Sequence, residues 1–292
     1  MGDYLVKAIA YEGQLRAYSV ITTEIVEEAR RRHDTLRAST EALGQMLTAG
    51  VMLGMTLKGA DKLTMKVNGG GPIGTVSVDA NADGEVRGYV ANPKMGLDFT
   101  ELDQLDVETA IGSDGVFSVS KYIGLHAPFV GQVPLGSGAI VDDFSLYLNN
   151  SEQTPSIVSM GVRLDADSNV QFAGGIIIQM MPGASEELFE RVKAYVQDME
   201  SIPSLLAQDA KPENLLREIM GADQLTILEQ IPVRFQCQCS EERISNAIIS
   251  LGKEEIYDMI HTDGQAEANC HYCNESYFFT KEELEKLMSE AS

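Results

Sequence analysis

The sequence predicts an α+β protein in three parts: an N-terminal mixed domain with antiparallel strands and helices (residues 1–182), a helical linker (residues 183–232) and a small C-terminal module (residues 233–292). Three observations lead there. Apolar residues change period along the first part, from helical spacing over Glu41 to Leu57 to alternation from Lys62 onward. Pro182-Gly183 closes the alternating strands, and the segments beyond it return to helical spacing. The only four cysteines then fall in two close pairs, Cys237-Gln238-Cys239 and Cys270-His271-Tyr272-Cys273. Two short knuckles of this kind can turn four sulfurs toward one zinc ion, so the last part reads as a small C-terminal zinc module.

Taken in order, Tyr4 to Ala10 and Gln14 to Val20 read as two strands joined by a turn at Tyr11-Glu12-Gly13. Thr22 or Thr23 can cap a helix from Glu24 to His33, acidic at its start and basic at its end as the helix dipole favours. Its Arg30-Arg31-Arg32 run reads as a solvated helix face rather than a nucleic-acid patch. An apolar helix runs from Glu41 to Leu57; the longest uncharged stretch, about Leu43 to Leu57, is too short and too rich in glycine to span a bilayer, and Gly50 with Gly54 marks close packing in a soluble core. Strands follow at Leu63 to Val67, Gly74 to Val78 and Gly84 to Val90. Gly69-Gly70-Gly71-Pro72 is a turn and no phosphate loop, since no Gly-Lys-Ser/Thr follows it. Asp79 to Gly84 imitates half a calcium loop, but Val90 stands where that loop needs Glu, so a hairpin turn is expected. Phe117 to Tyr122 is a further strand and Val141 to Leu148 a helix. The last strands of the domain run through Val158 and Val162 and from Val170 to Met181.

In the linker, Ser185 can cap a helix with Leu188, Phe189, Val192, Val196 and Met199 on one face. Pro203 is expected to interrupt. Pro212 suits the first turn of a helix that Gly221 ends, and a third short piece of this helical stretch is expected to reach Pro232. Helices this short are marginal in water and depend on docking their apolar faces. The linker is therefore either an ordinary connector or a metastable region whose docking is contingent on the module that follows. Within that module Ser240 can cap a helix, Lys253 to Ile260 forms a second, and a strand reaching Cys270 pairs with one at Tyr277 to Phe279. Thr280 and Glu283 have capping-box spacing for a final helix. A core of about sixty residues is thin, so bound metal would contribute much of its folding free energy.

Lys and Arg number 22 against 44 Asp and Glu, a net charge of -22, which repels phosphate backbones and anionic lipid and weighs against nucleic-acid and membrane partners. Met1 to Lys7 holds no basic segment leading into an apolar one, so no secretory signal is read and a reducing cytoplasmic setting is expected. Three readings of the cysteines stay open on the residues alone: a purely structural zinc site, two constitutive disulfides, or a switch that holds zinc when reduced and forms disulfides when oxidised. A catalytic zinc keeps an open position, which four thiolates close. His33, His126 and His261 form no motif with acids, and His271 is expected beside the cluster rather than in it. No catalytic residue is assigned and no enzyme is expected.

With those residues in place, the chain resembles a known family over its whole length: the bacterial redox-regulated holdase chaperones, or thirty-three-kilodalton heat-shock proteins. The resemblance rests on Phe235-Gln236-Cys237-Gln238-Cys239-Ser240 with Arg243, on Leu251-Gly252-Lys253-Glu254-Glu255-Ile256 and on Cys270-His271-Tyr272-Cys273. Ser151-Glu152-Gln153-Thr154-Pro155-Ser156 and Pro134-Leu135-Gly136-Ser137-Gly138 add to it. Ala139 departs from the family, which commonly has an acidic residue there, at a position to which no chemistry is assigned. The resemblance implies an ATP-independent chaperone that binds unfolding client proteins under oxidative stress and is inactive while reduced and zinc-bound. It implies that Cys237, Cys239, Cys270 and Cys273 are both zinc ligands and switch. Oxidation would pair Cys237 with Cys239 and Cys270 with Cys273, expel the metal and unfold the linker. Dimerisation on oxidation and hand-over of clients to an ATP-dependent foldase chaperone are implied as well. The alternative is a purely structural zinc site in an interaction or nucleic-acid-binding module.

Overall fold

Alternation at the N-terminus is realised as two antiparallel strands, β1 (Tyr4–Ala10) and β2 (Leu15–Ile21). The structure, a computed structural model, describes residues 2–94, 106–125 and 127–291, so His126 lies outside the described residues. The chain divides into two compact units, Met1–Gln236 and Cys237–Ser292. In the first, helices α1 (Thr23–His33) and α2 (Arg37–Gly54) precede strands β3 (Lys62–Asn68), β4 (Val76–Asn81) and β5 (Glu85–Val90). A short helix α3 (Val107–Ile111), strands β6 (Val116–Tyr122) and β7 (Phe129–Pro134), helix α4 (Ile140–Asn150) and strands β8 (Ser156–Leu164) and β9 (Val170–Met180) follow. Beyond Pro182 come helices α5 (Glu186–Asp198), α6 (Ile202–Gln208) and α7 (Pro212–Met220), then strands β10 (Leu225–Pro232) and β11 (Arg234–Phe235).

Two sheets result. One is fully antiparallel in the order β10-β1-β2-β9-β8; the other runs β11-β5-β4-β3-β6-β7, with β11 alone parallel to its neighbour. Helix α2 packs on strands of both and is buried along nearly its whole length. Its glycines allow that approach: a Cβ on Gly44 would sit 2.6 Å from Val162 of β8, and one on Gly50 2.7 Å from Val78 of β4. The Gly50/Gly54 spacing therefore serves core packing, as its context in the sequence requires. Helix α2 begins at Arg37 rather than at Glu41, because Ser39 and Thr40 are buried in its first turn and the Thr40 hydroxyl donates to the Leu36 carbonyl at 3.0 Å.

Several expectations need correction. Thr22 stands at the N-cap of α1, but its side chain makes no capping bond; the carboxylate of Asp3 accepts from the Ile25 N–H at 2.8 Å instead. Strand β7 has no counterpart in the sequence reading, because its buried positions are Gly131 and Val133 while Phe129 and Val130 face solvent. Pro203 does mark a break, between α5 and α6, by standing in the first turn of α6, where its missing N–H has no partner to lose. The piece before Pro232 is a strand, β10, paired with β1 from Ala10↔Leu225 to Tyr4↔Pro232. Ile227 and Ile231 turn inward along it, and the open edge of β1 provides a ladder that an isolated helix of that length would lack. The Arg30–Arg32 run behaves as read: these side chains pair with Glu27 and Glu28 along α1.

Helices α5 to α7 cover the face of the first sheet that α2 does not touch. Phe189, Val192, Leu206, Leu216 and Ile219 pack there on Val6, Ala8, Leu15, Ala17, Ile176 and Ile178. Fully burying an aliphatic or aromatic side chain contributes about 1.5–3 kcal/mol, so this face accounts for most of what keeps the segment in place. Two hydroxyls fasten its end: Tyr4 donates to Glu213 at 2.9 Å and Tyr11 to the Met220 carbonyl at 3.0 Å.

Burial pushes the Asp3 carboxyl up to about 7, against the backbone N–H groups of α1 that favour its charge. The folded protein then binds a proton that the unfolded chain has already lost, so this group's contribution to stability falls as pH rises from about 4 to 7. Asp3→Asn keeps an acceptor for Ile25 but cannot ionise. In urea unfolding of the two proteins, wild type should lose about 1–3 kcal/mol relative to the variant between pH 5 and pH 8; parallel pH profiles would contradict the assignment.

Candidate metal centre

The second unit is built from helices α8 (Glu241–Ile249), α9 (Lys253–Thr262) and α10 (Lys281–Glu290) around a hairpin of β12 (Gln265–Asn269) and β13 (Ser276–Thr280). Ser240 caps α8 and Thr280 forms a full capping box with Glu283 on α10, as their spacing predicts. The core is small: Ile248, Ile256, Ile260, Phe279 and Leu284 carry most of it.

The hairpin loop places one pair of cysteines. Cys270 leaves β12, its N–H donates to the Glu275 carbonyl at 2.9 Å, and the N–H groups of Cys273 and Asn274 return to the Cys270 carbonyl at 3.3 and 2.7 Å. Asn274 takes φ 56° to close the knuckle, a conformation asparagine tolerates better than most residues. The other pair lies on irregular chain before α8, where the Arg243 guanidinium donates to the Gln238 carbonyl between the two cysteines at 2.9 Å.

These two knuckles bring Cys237, Cys239, Cys270 and Cys273 together. All four Sγ atoms lie within 4.8 Å of one another, with Cys237 to Cys270 at 3.7 Å and Cys239 to Cys273 at 3.3 Å. Four thiolates at about 2.3 Å from a tetrahedral zinc would be about 3.8 Å apart, so the cluster fits that ion with small adjustments. Cys273 is 2% exposed and the other three are half-buried. Burial pushes the thiols of Cys270 and Cys273 well up from their ordinary range, and the neighbouring Cys237 adds to both shifts. Four uncompensated thiolates are therefore unfavourable here, whereas a divalent cation among them reverses the balance. Among the described residues this is the one group of three or more such side chains able to hold a metal.

None of the described histidines joins it. His271 is exposed within the second knuckle, His261 stacks on Tyr257 with centroids 3.8 Å apart, and His33 ends α1 in the other unit. The structure adds one residue that the sequence reading treats only as part of a strand: the Tyr277 hydroxyl donates to Cys239 Sγ at 3.2 Å. That contact depends on which face of β13 carries Tyr277 and on how the hairpin loop folds back, neither of which spacing reveals.

Comparison with known proteins places this geometry. The Hsp33 protein family model matches residues 3–280. The chain belongs to the Hsp33 family. It is 51% identical over 287 residues to a 33 kDa chaperonin of Geobacillus sp. (strain WCH70), covering 98% of this chain and 97% of that relative. It is also 51% identical over 290 residues to the 33 kDa chaperonin of Bacillus subtilis (strain 168), covering 99% of each. The crystal structure of the 33 kDa chaperonin of Thermotoga maritima superposes with a TM-score of 0.90 at 36% identity, covering 99% of this chain and 98% of that one. Hsp33 membership makes this chain a chaperone, for which unfolded proteins are the clients. Among the described residues no helix is long and apolar enough to cross a membrane.

Because each thiol must lose a proton to become a ligand, zinc affinity should fall steeply as pH drops from 8 to 6, with proton release on loading. Cys273→Ser, at the most buried sulfur, should weaken zinc binding by at least about tenfold in competition with a chromogenic chelator. Stripping the metal under reducing conditions should abolish hydrogen-exchange protection in residues 237–291 and leave β1 to β9 protected; unchanged protection would show that the second unit folds without metal.

Proposed function

We propose that this member of the Hsp33 family is a redox-regulated, ATP-independent holdase of the cytoplasm that binds unfolding proteins during oxidative stress. The observation that carries the reading is the pairing, along one chain, of a four-thiol cluster with a segment that covers an apolar sheet face and ends five residues before the first cysteine. In the reduced protein Cys237, Cys239, Cys270 and Cys273 hold zinc as thiolates, the form that peroxide or hypochlorous acid attacks. Zinc, when bound, would offset two of the four thiolate charges and contribute to the folding of the small second unit.

Oxidation pairs Cys237 with Cys239 and Cys270 with Cys273. Sulfurs of different knuckles also approach closely, at 3.7 and 3.3 Å, but loop entropy favours partners two or three residues apart over those 33 or 34 apart. With fewer than four ligands the metal is lost and the second unit loses a main source of its stability. Residues 183–232, a metastable linker between the N-terminal domain of residues 1–182 and the zinc-binding switch domain of residues 233–292, then give up their docking. The sheet face made by Val6, Ala8, Leu15, Ala17, Ile176 and Ile178 becomes available to clients, together with the apolar sides of α5 to α7. The oxidised protein dimerises and passes its clients to an ATP-dependent foldase chaperone. The net charge of -22 keeps such a protein soluble while it presents apolar surface.

Light scattering from a heat-unfolding client provides the test, with this protein either reduced and zinc-loaded or treated with peroxide at mild heat. Suppression by the oxidised form alone is expected, and equal suppression by both forms, or by neither, would reduce the cysteines to a structural zinc site. Limited proteolysis should cut residues 183–232 only after oxidation. Leu216→Ala, which removes a buried contact of α7 at a cost of about 2–5 kcal/mol, should raise client binding by the reduced protein.

A further inference from the structure

The two cysteine knuckles are held in different ways. Cys270 and Cys273 receive backbone N–H groups from their own turn, Tyr272 and Cys273 on the first sulfur and Glu275 on the second. Cys239 receives a side-chain hydroxyl from β13, that of Tyr277, 38 residues further along the chain. A donor of the first kind stays beside its sulfur as long as the turn persists. A donor of the second kind is in place only while the hairpin and the Cys237–Cys239 knuckle are folded together.

We propose that Tyr277 is a positioning residue for the metal centre, whose hydroxyl holds Cys239 in its ligand orientation and lowers the reactivity of that sulfur toward peroxide. The proposal rests on the zinc and redox reading of the site given above. In the reaction concerned, a thiolate lone pair attacks peroxide, an S–O bond forms as the O–O bond breaks, and hydroxide leaves. The second thiolate of the pair then displaces hydroxide from the sulfenic acid to form the disulfide. Two thiolates lose two electrons in all, and peroxide with two protons becomes two waters. A hydrogen bond to the sulfur lone pair opposes the first step and, by fixing the direction of the sulfur, favours its place in the ligand set. Tyr277 stands four residues after Cys273, so displacing the second knuckle also displaces the donor on Cys239. The hydroxyl thereby makes the state of one cysteine pair felt by the other.

Tyr277→Phe removes the hydroxyl and keeps the ring against the core. Full-length zinc-loaded wild type, this variant and Tyr257→Phe, which deletes an exposed phenol on α9, would be compared in two measurements. Competition with a chromogenic chelator in the absence of oxidant should show zinc affinity about tenfold lower for Tyr277→Phe alone. Peptide-resolved thiol alkylation after brief peroxide treatment should show Cys239 modified about fivefold faster relative to Cys273, the factor conferred by one hydrogen bond of ordinary net strength. Wild-type values in either measurement would overturn the proposal. Should the variant fail to fold, the cadmium-113-loaded wild type decides: a slowly exchanging Tyr277 hydroxyl proton coupled to the metal through Cys239 is expected, and a freely exchanging one overturns the assignment. If wild type binds zinc but gains no client binding on oxidation, the holdase reading fails and the Tyr277 result stands apart from it. If wild type does switch and Tyr277→Phe matches it, Tyr277 alone loses its role.

Discussion

Four sulfurs confined within 4.8 Å of one another, one of them almost wholly buried, cannot all carry charge without a cation. That constraint governs the second unit. Its apolar core is limited to a handful of side chains from three short helices and a hairpin, so the cluster is also where much of its cohesion must come from. A bound cation would therefore contribute to the folding of this unit as directly as to coordination.

The first unit carries a different constraint. Its central sheet is apolar on both faces: α2 fills one, and the segment beyond Pro182 fills the other. The two coverings are unlike. Helix α2 is long, buried along nearly its whole length and locked by close glycine contacts to both sheets, whereas α5 to α7 are short, each contributing one apolar stripe. Short helices gain little from propensity and depend on the face they cover. The second covering is the one whose release the proposed holdase mechanism requires.

Much of this was legible before any coordinates. The change of apolar period near Lys62 marks the passage from α2 to the strands, and the capping signals at Ser185, Ser240 and Thr280 each open the helix they predict. Chain spacing located the four clustered cysteines because a knuckle is a local structure. The failures share a cause. Strand β10 has too irregular an apolar pattern to identify itself, and the free edge of β1 gives it a strand's partner. The cap of α1 comes from Asp3, twenty-two residues before Ile25, so no local pattern could name it.

The sequence by itself determined the fold class, the positions of most elements and the two cysteine pairs that cluster, since periodicity, caps and knuckles are written within a few residues of one another. Tertiary structure decided what those elements cover and touch: that the linker lies on a sheet face, that its last piece completes that sheet, and that the Tyr277 hydroxyl reaches Cys239. These contacts join residues tens to hundreds of positions apart, and their existence depends on how the layers pack rather than on any pattern the chain carries locally.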